Sequence, residues 1–171
     1  MMKIKEKNKI LSHVEVLRKI RRIAFEIYEH NFEEKEIVIA GIKDTGYKLA
    51  QLLAEQVQEV SSIKCELAEI TLDKSANLQS EVTVTLGAAA LTNKAVVIVD
   101  DVLNTGKTIV HSLKPFLKIH IRKLQVAVLV NRGHRTFPSS PDFVGYELST
   151  TVNQHIEVDL MTNDNFAVYL S

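Results

Sequence analysis

The chain has 171 residues, enough for one domain with a full hydrophobic core, and we read residues 1–171 as a single domain. Its 21 basic and 21 acidic residues cancel, which removes the global positive field of a dedicated nucleic-acid binder but leaves room for local basic patches. A lone cysteine, Cys65, excludes an internal disulfide framework or a cysteine zinc site and reads as a buried structural thiol.

The start, MMKIKEKNKIL, is charged and lacks the apolar stretch of a signal peptide, and no apolar run of about 18 residues suggests a membrane span. A cytoplasmic protein with no membrane partner is therefore expected. Ser12-His13-Val14-Glu15 has the spacing of a capping box. Val14, Leu17, Ile20, Ala24 and Ile27 then recur on one face of a helix, with Arg18, Arg21 and Arg22 on and beside the other, read as a solvated surface or a basic face for RNA or a partner. Glu36 to Ala40 forms a second element, a strand, followed by Gly41-Ile42-Lys43-Asp44-Thr45-Gly46 and a helix carried by Leu49, Leu52, Leu53 and Val57. A glycine-bounded loop between strand and helix brings backbone amides close to an anion, or is simply a turn.

Lys64 to Leu72 reads as a strand, with Cys65, Leu67 and Ile70 inward. A polar segment, Asp73 to Ser80, leads to Glu81–Leu86, which alternates with period two, so the region from Asp73 to Asn93 has the pattern of a hairpin arm. Ile121 to Val130 is strand-like, and Asn131-Arg132-Gly133-His134-Arg135 follow at its carboxyl end. His134 there is a general acid or base, or a loop histidine with no catalytic part. Phe143–Leu148, His155–Leu160 and Phe166–Leu170 complete the set as short strands.

The most informative stretch is AVVIVDDVLNTGKT, residues 95–108. Val96 to Val99 are an apolar, β-branched run of the kind buried on both faces of a sheet; Asp100 and Asp101 follow, then Asn104, Thr105, Gly106, Lys107 and Thr108, and a helical pattern opens at Ile109. Ligands sit at the carboxyl ends of strands in an open α/β sheet, and a loop of free N–H groups there suits a phosphate. A nucleotide P-loop is excluded, because the position five residues before Gly106 carries Asp101, not glycine.

The whole stretch resembles the signature for phosphoribosyl diphosphate (PRPP) in type I phosphoribosyltransferases. LRKIRRIAFEIYEHN, VIAGIKDTGYKLAQLLAEQV, AVLVNRGHR and PDFVGYEL are similar, in order and spacing, to the pyrimidine operon attenuation protein/uracil phosphoribosyltransferase family. That resemblance implies an α/β fold with a mostly parallel central sheet flanked by helices and a small hood from the C-terminal strands. It implies a PRPP- and Mg2+-dependent transferase joining a nucleobase, uracil first, to ribose 5-phosphate with loss of diphosphate. Asp100 and Asp101 would hold the ribose, residues 104–108 the 5-phosphate, and Lys43, Asp44, Thr45 and Gly46 the diphosphate. No direct protein metal ligand is expected, since the Mg2+ comes with PRPP. Asn131, Arg132, His134 and Asp159 would serve the base and hood, and a homodimer or higher homo-oligomer is implied.

Departures from the family pattern carry their own expectations. Asp44-Thr45 stand where the family has Thr-Arg, and Lys74 is the one substitute for the Tyr-Arg pair of its mobile arm, so turnover is expected to be reduced. At that extreme the protein is a PRPP or nucleotide sensor. Phe25, Ser140 and Tyr146 replace a histidine and basic residues of the family's RNA surface, which argues against binding of a messenger-RNA hairpin although His134 and Arg135 survive. Asn131 replaces the family's aspartate at the base, and DFVGYE with Asp159 beyond it also matches purine transferases, leaving hypoxanthine or guanine as the alternative base.

Overall fold

The computed structural model describes residues 7–75 and 81–171. Strands β1 (Asn8–Leu11), β2 (Glu36–Ile42), β3 (Lys64–Thr71), β4 (Thr83–Val84), β5 (Ala95–Leu103), β6 (Lys123–Asn131), β7 (Phe143–Glu147), β8 (Ile156–Asp159) and β9 (Ala167–Leu170) alternate with helices α1 (His13–Asn31), α2 (Thr45–Val60), α3 (Ala88–Leu91) and α4 (Lys107–Ser112). Six strands form one sheet in the order β4-β3-β2-β5-β6-β7, parallel throughout except for β4. The near-continuous apolar runs of β2, β5 and β6 are accounted for by this arrangement, since a parallel strand covered on both faces needs apolar side chains on both. Ile37, Ile39, Val97 and Val99 pack under α1 and α2, while Val38, Ala40, Val96 and Ile98 face Leu91, Ile109 and Phe116 on the other side.

The chain leaves β2 through α2 to β3 on one side, then returns to place β5 on the other side of β2. The order of strands thus reverses between β2 and β5, and the loops that follow these two strands diverge to leave a crevice. Above it stands the hood, a three-stranded antiparallel sheet in the order β1-β9-β8. Its first strand comes from the amino-terminal stretch, so the hood is knit from both ends of the chain and not from C-terminal strands alone. β7, which the sequence grouped with the short late strands, instead extends the main sheet by pairing with β6.

Helix α1 begins at the expected capping box: the Ser12 hydroxyl accepts from Glu15 N, and Ser12 N donates to the Glu15 carboxylate at 2.8 Å. Its buried face is rotated from the expected one. Val16, Ile20, Ile23, Ala24 and Ile27 are buried, whereas Val14 and Leu17 are 54% and 41% exposed. Stacking on both the sheet and the hood selects this stripe, which shares Ile20, Ala24 and Ile27 with the expected one. Arg22 stays exposed, its side chain 45% accessible, yet its guanidinium also donates to Val144 O at 3.1 Å and Gly145 O at 2.6 Å.

The arm begins as a hairpin, Ile70 pairing with Val84 and Thr71 with Thr83. Its second strand is only two residues long instead of spanning 81–86, and residues 76–80 of the polar segment lie outside the described residues. Cys65 is half-buried against the α1–α2 core, where burial pushes its thiol up to about 12. No helix among the described residues is long and apolar enough to cross a membrane.

Candidate active site

The two acids do not follow β5 but belong to it. Pairing with β6 continues past them, Asp100 opposite Val128 and Val102 opposite Val130, so strand geometry fixes both side chains. Asp100 is 2% exposed, while the Asp101 side chain keeps 19%. The Lys74 ammonium, reaching in from the start of the arm, lies 3.0 Å from Asp100 Oδ1 and 3.7 Å from Asp101 Oδ1. Asp101 N also donates to Asp100 Oδ1 at 3.0 Å.

Burial, and then the neighbouring Asp101 charge, push the Asp100 carboxyl up to about 7 despite the opposing pull of Lys74. For Lys74, burial acts downward, but the charges of Asp100 and Asp101 and the hydrogen bond to Asp100 outweigh it and hold the ammonium above the ordinary lysine range. The result is a compact acid pair with one resident cation.

Two loops flank this group. After β2, Lys43 N donates to Ile70 O at 2.8 Å, and Asp44 takes φ 71° and ψ −121° before α2 starts at Thr45. A positive φ at a non-glycine residue is strained, and here it turns the loop back over the sheet without a side-chain cap for α2. Gly46 is a close-approach position: a Cβ there would lie 3.0 Å from Asp100 Oδ1 and 3.1 Å from Val99 O.

After β5, Gly106 adopts φ 85°, and Thr105 Oγ1 accepts from Lys107 N at 3.3 Å. This second loop is braced from outside by the segment after β6, since Thr136 N and Phe137 N both donate to Thr105 O at 3.0 Å. The Ser139 hydroxyl, buried without a hydrogen-bond partner, sits against Gly106, where an added Cβ would come within 2.0 Å of it. Between the loops lies a cleft of about 530 Å³, lined by Thr45, Lys74, Asp100, Asp101 and residues 104–108 and roofed by residues 155–158 of the hood.

The structure therefore gathers the acids, Lys74, Thr45 and the 104–108 loop around one volume. Lys43 and Asp44 stand in the adjoining loop and Gly46 in the first turn of α2, where it approaches Asp100 from behind. The base and hood candidates are placed differently. Asn131 is buried at the end of β6, its Nδ2 donating to Glu147 Oε1 at 3.4 Å and its Oδ1 accepting from Gly133 N at 3.2 Å. His134 Nε2 meets Thr150 O at 2.7 Å, so that ring nitrogen is engaged by backbone. Arg132 spends its guanidinium on Asn104, Thr150, Thr151 and Gln154. Asp159 caps a turn: its carboxylate accepts from Met161 N, Thr162 N and Thr162 Oγ1, and these bonds hold its pKa below the usual range, the hydroxyl bond first. None of these four lines the cleft. His155 and Glu157 do line it and were not singled out from the sequence, because only the pairing of β8 with β9 brings them over the acids.

The comparisons with known proteins agree with this geometry. The profile of the phosphoribosyl transferase domain matches residues 6–162. The chain belongs to the phosphoribosyltransferase family. A bifunctional protein PyrR of Brevibacillus brevis is 35% identical to this phosphoribosyltransferase over 165 residues, covering 92% of each chain. Another, from Fusobacterium nucleatum, is 38% identical over 157 residues, covering 87% of this chain and 88% of its own. Among solved structures, a hypoxanthine-guanine phosphoribosyltransferase of Bacillus anthracis superposes with a TM-score of 0.74 at 18% identity, covering 86% of both chains. The hypoxanthine phosphoribosyltransferase of Trypanosoma cruzi gives 0.74 at 15% identity, covering 94% of this phosphoribosyltransferase and 95% of its own chain. These structures share the fold, an α/β domain with a mostly parallel sheet between helices.

Proposed function

We propose that this phosphoribosyltransferase forms one domain over residues 1–171 and transfers the ribose 5-phosphate of PRPP to a nucleobase, uracil in first place, releasing diphosphate in nucleotide salvage. The observation that carries the reading is the pair of buried Asp100 and partly exposed Asp101 with Lys74, set at the strand-order reversal between the loops that follow β2 and β5.

Asp100 and Asp101 accept hydrogen bonds from the two ribose hydroxyls, and the 104–108 loop cradles the 5-phosphate with N–H groups and hydroxyls. Residues 43–46 face the diphosphate. As the bond from C1 to the diphosphate oxygen breaks, positive charge develops on the ribosyl ring, and the fixed carboxylates stabilise it. A base nitrogen then bonds to C1, and its proton passes to the departing diphosphate. Lys74 moves from the acids toward the departing diphosphate as its counter-charge. Mg2+ would arrive with PRPP, held mainly by the substrate's phosphates and by no direct protein ligand, and would supply charge neutralisation of the diphosphate.

Uracil is favoured over purines by the whole-length likeness to the PyrR relatives and by the engagement of the Asp159 carboxylate in its own turn. An RNA partner is disfavoured by Phe25, Ser140 and Tyr146, which carry no positive charge toward phosphates. A cytoplasmic homodimer or higher homo-oligomer completes the reading.

The test is diphosphate release from PRPP and Mg2+ with uracil, hypoxanthine, guanine, xanthine and adenine in parallel. Release with uracil is expected, falling on the order of a hundredfold when Asp100→Asn and Asp101→Asn are combined. Undiminished release by that double variant refutes the site, and PRPP binding without release for any base makes the protein a sensor.

A further inference from the structure

Arg132 lies one residue beyond β6, outside the cleft, yet its side chain ties the cleft-lining Asn104 to the segment that leads into the cleft roof. Its Nη1 donates to Asn104 Oδ1 at 3.2 Å, at the entry to the 104–108 loop. Its Nη2 donates to Thr151 O at 2.9 Å and to Gln154 O, and its Nε donates to Thr150 Oγ1. The Arg132 backbone is anchored as well, its N donating to Leu103 O at 2.9 Å. Residues 150–154 run directly into His155 and β8, which roof the cleft opposite the acids.

A guanidinium is planar, and its N–H groups point in fixed directions. The four acceptors around Arg132 therefore cannot move independently: a shift of Asn104 rotates the plane that holds Thr150, Thr151 and Gln154. His134, in the same turn, adds a second tie through Thr150 O at 2.7 Å. A side chain placed only to stabilise one loop would not divide its donors between the 104–108 loop and the segment before β8.

We propose that Arg132 is a positioning residue that couples occupancy of the 104–108 loop by a sugar phosphate to the ordering of residues 150–158, which lead into and form the roof of the cleft. This rests on the reading of 104–108 as the 5-phosphate loop.

Ribose 5-phosphate is the probe, and amide hydrogen exchange at residues 150–158 is the readout. In the wild-type protein its binding is expected to slow hood exchange about tenfold, within the usual range of coupling between two sites. Arg132→Lys, which keeps the charge but not the fork, is expected to bind ribose 5-phosphate within about threefold of wild type, lose the hood response, and raise the KM for the base about tenfold with little change in the KM for PRPP. Thr150→Val removes one acceptor on the hood side alone and is expected to weaken the response in the same direction, which keeps the test decisive should Arg132→Lys fold poorly.

An undiminished hood response in both variants overturns the proposal, as does a wild-type hood that ignores bound ribose 5-phosphate. Loss of ribose 5-phosphate binding in a folded Arg132→Lys protein also overturns it, by making Arg132 a phosphate ligand. Failure of the wild-type protein to bind ribose 5-phosphate refutes the underlying phosphate-loop reading itself.

Discussion

Asp100→Asn should stabilise the protein in alkaline solution while impairing its chemistry. The Asp100 carboxyl stands at about 7 in the folded chain against an ordinary 3.8, chiefly because the side chain is buried and secondly because Asp101 lies beside it. A raised folded-state value means the folded protein holds a proton that the unfolded chain has released. Stability is therefore highest below the unfolded value and is lost as pH rises from about 4 to about 7. At about pH 5.5 this costs roughly 2 kcal/mol relative to acid solution, from about 1.7 pH units above the unfolded value at 1.36 kcal/mol each. Above about pH 7 the cost levels off at roughly 4 kcal/mol.

Asparagine keeps the shape and titrates nowhere in this range. The stability advantage of the variant should therefore grow by about 2 kcal/mol between about pH 5.5 and 8.5, some 4–8 °C in melting temperature for a chain of this size. Lys74 does not become a stranded charge, since its side chain is 45% exposed and retains Asp101. Thermal melts of both proteins at the two pH values, with diphosphate release measured alongside, provide the check. A stability difference that is flat with pH, or that shrinks toward alkaline solution, refutes the assignment of Asp100 as a buried, strained acid.

Lys74→Met removes the cation that opposes the rise of the Asp100 carboxyl, so the acid limb of the kcat/KM profile should move to higher pH and turnover should fall on the order of a hundredfold; a pH profile superimposable on wild type excludes Lys74 as the partner of the acids. Gly106→Ala forces a side chain onto φ 85° and into the Ser139 hydroxyl, for an expected loss of about 1–3 kcal/mol by denaturant titration. Adding Ser139→Gly should return only part of it, and full recovery would assign the whole cost to the collision and none to the backbone.

What the sequence disclosed and what it withheld follow from the range of the interactions. Residues 95–108 could be read because a buried parallel strand, its acids and its glycine turn are all written locally. The capping box at Ser12 and Glu15 is local in the same sense. The hood's true composition was hidden, since Ile10 and Leu11 are too short an apolar run to announce a strand whose partner lies about 160 residues away. The buried stripe of α1 was only partly legible, because Val14 and Leu17 fit a helical period as well as Val16 and Ile23 do, and only the neighbouring elements choose between them. The sequence offers Arg22 as a surface charge and Arg132 as a base or hood residue; their bonds to Val144 O, Gly145 O, Thr150 Oγ1 and Thr151 O in distant segments leave no periodic trace.

The pairing of β1 with β9 also dictates an order of assembly. Asn8 meets Leu170 and Lys9 meets Tyr169, so this seam closes a loop of nearly the whole polypeptide. By loop length alone that closure costs on the order of 1 kcal/mol more than pairing β2 with β5, whose partners lie about 60 residues apart. The strands from β2 to β7 can pair before β9 reaches β1, leaving a core whose acid pair lies open to water. A folding chain can thus have its charged floor before it has a chamber in which to use it.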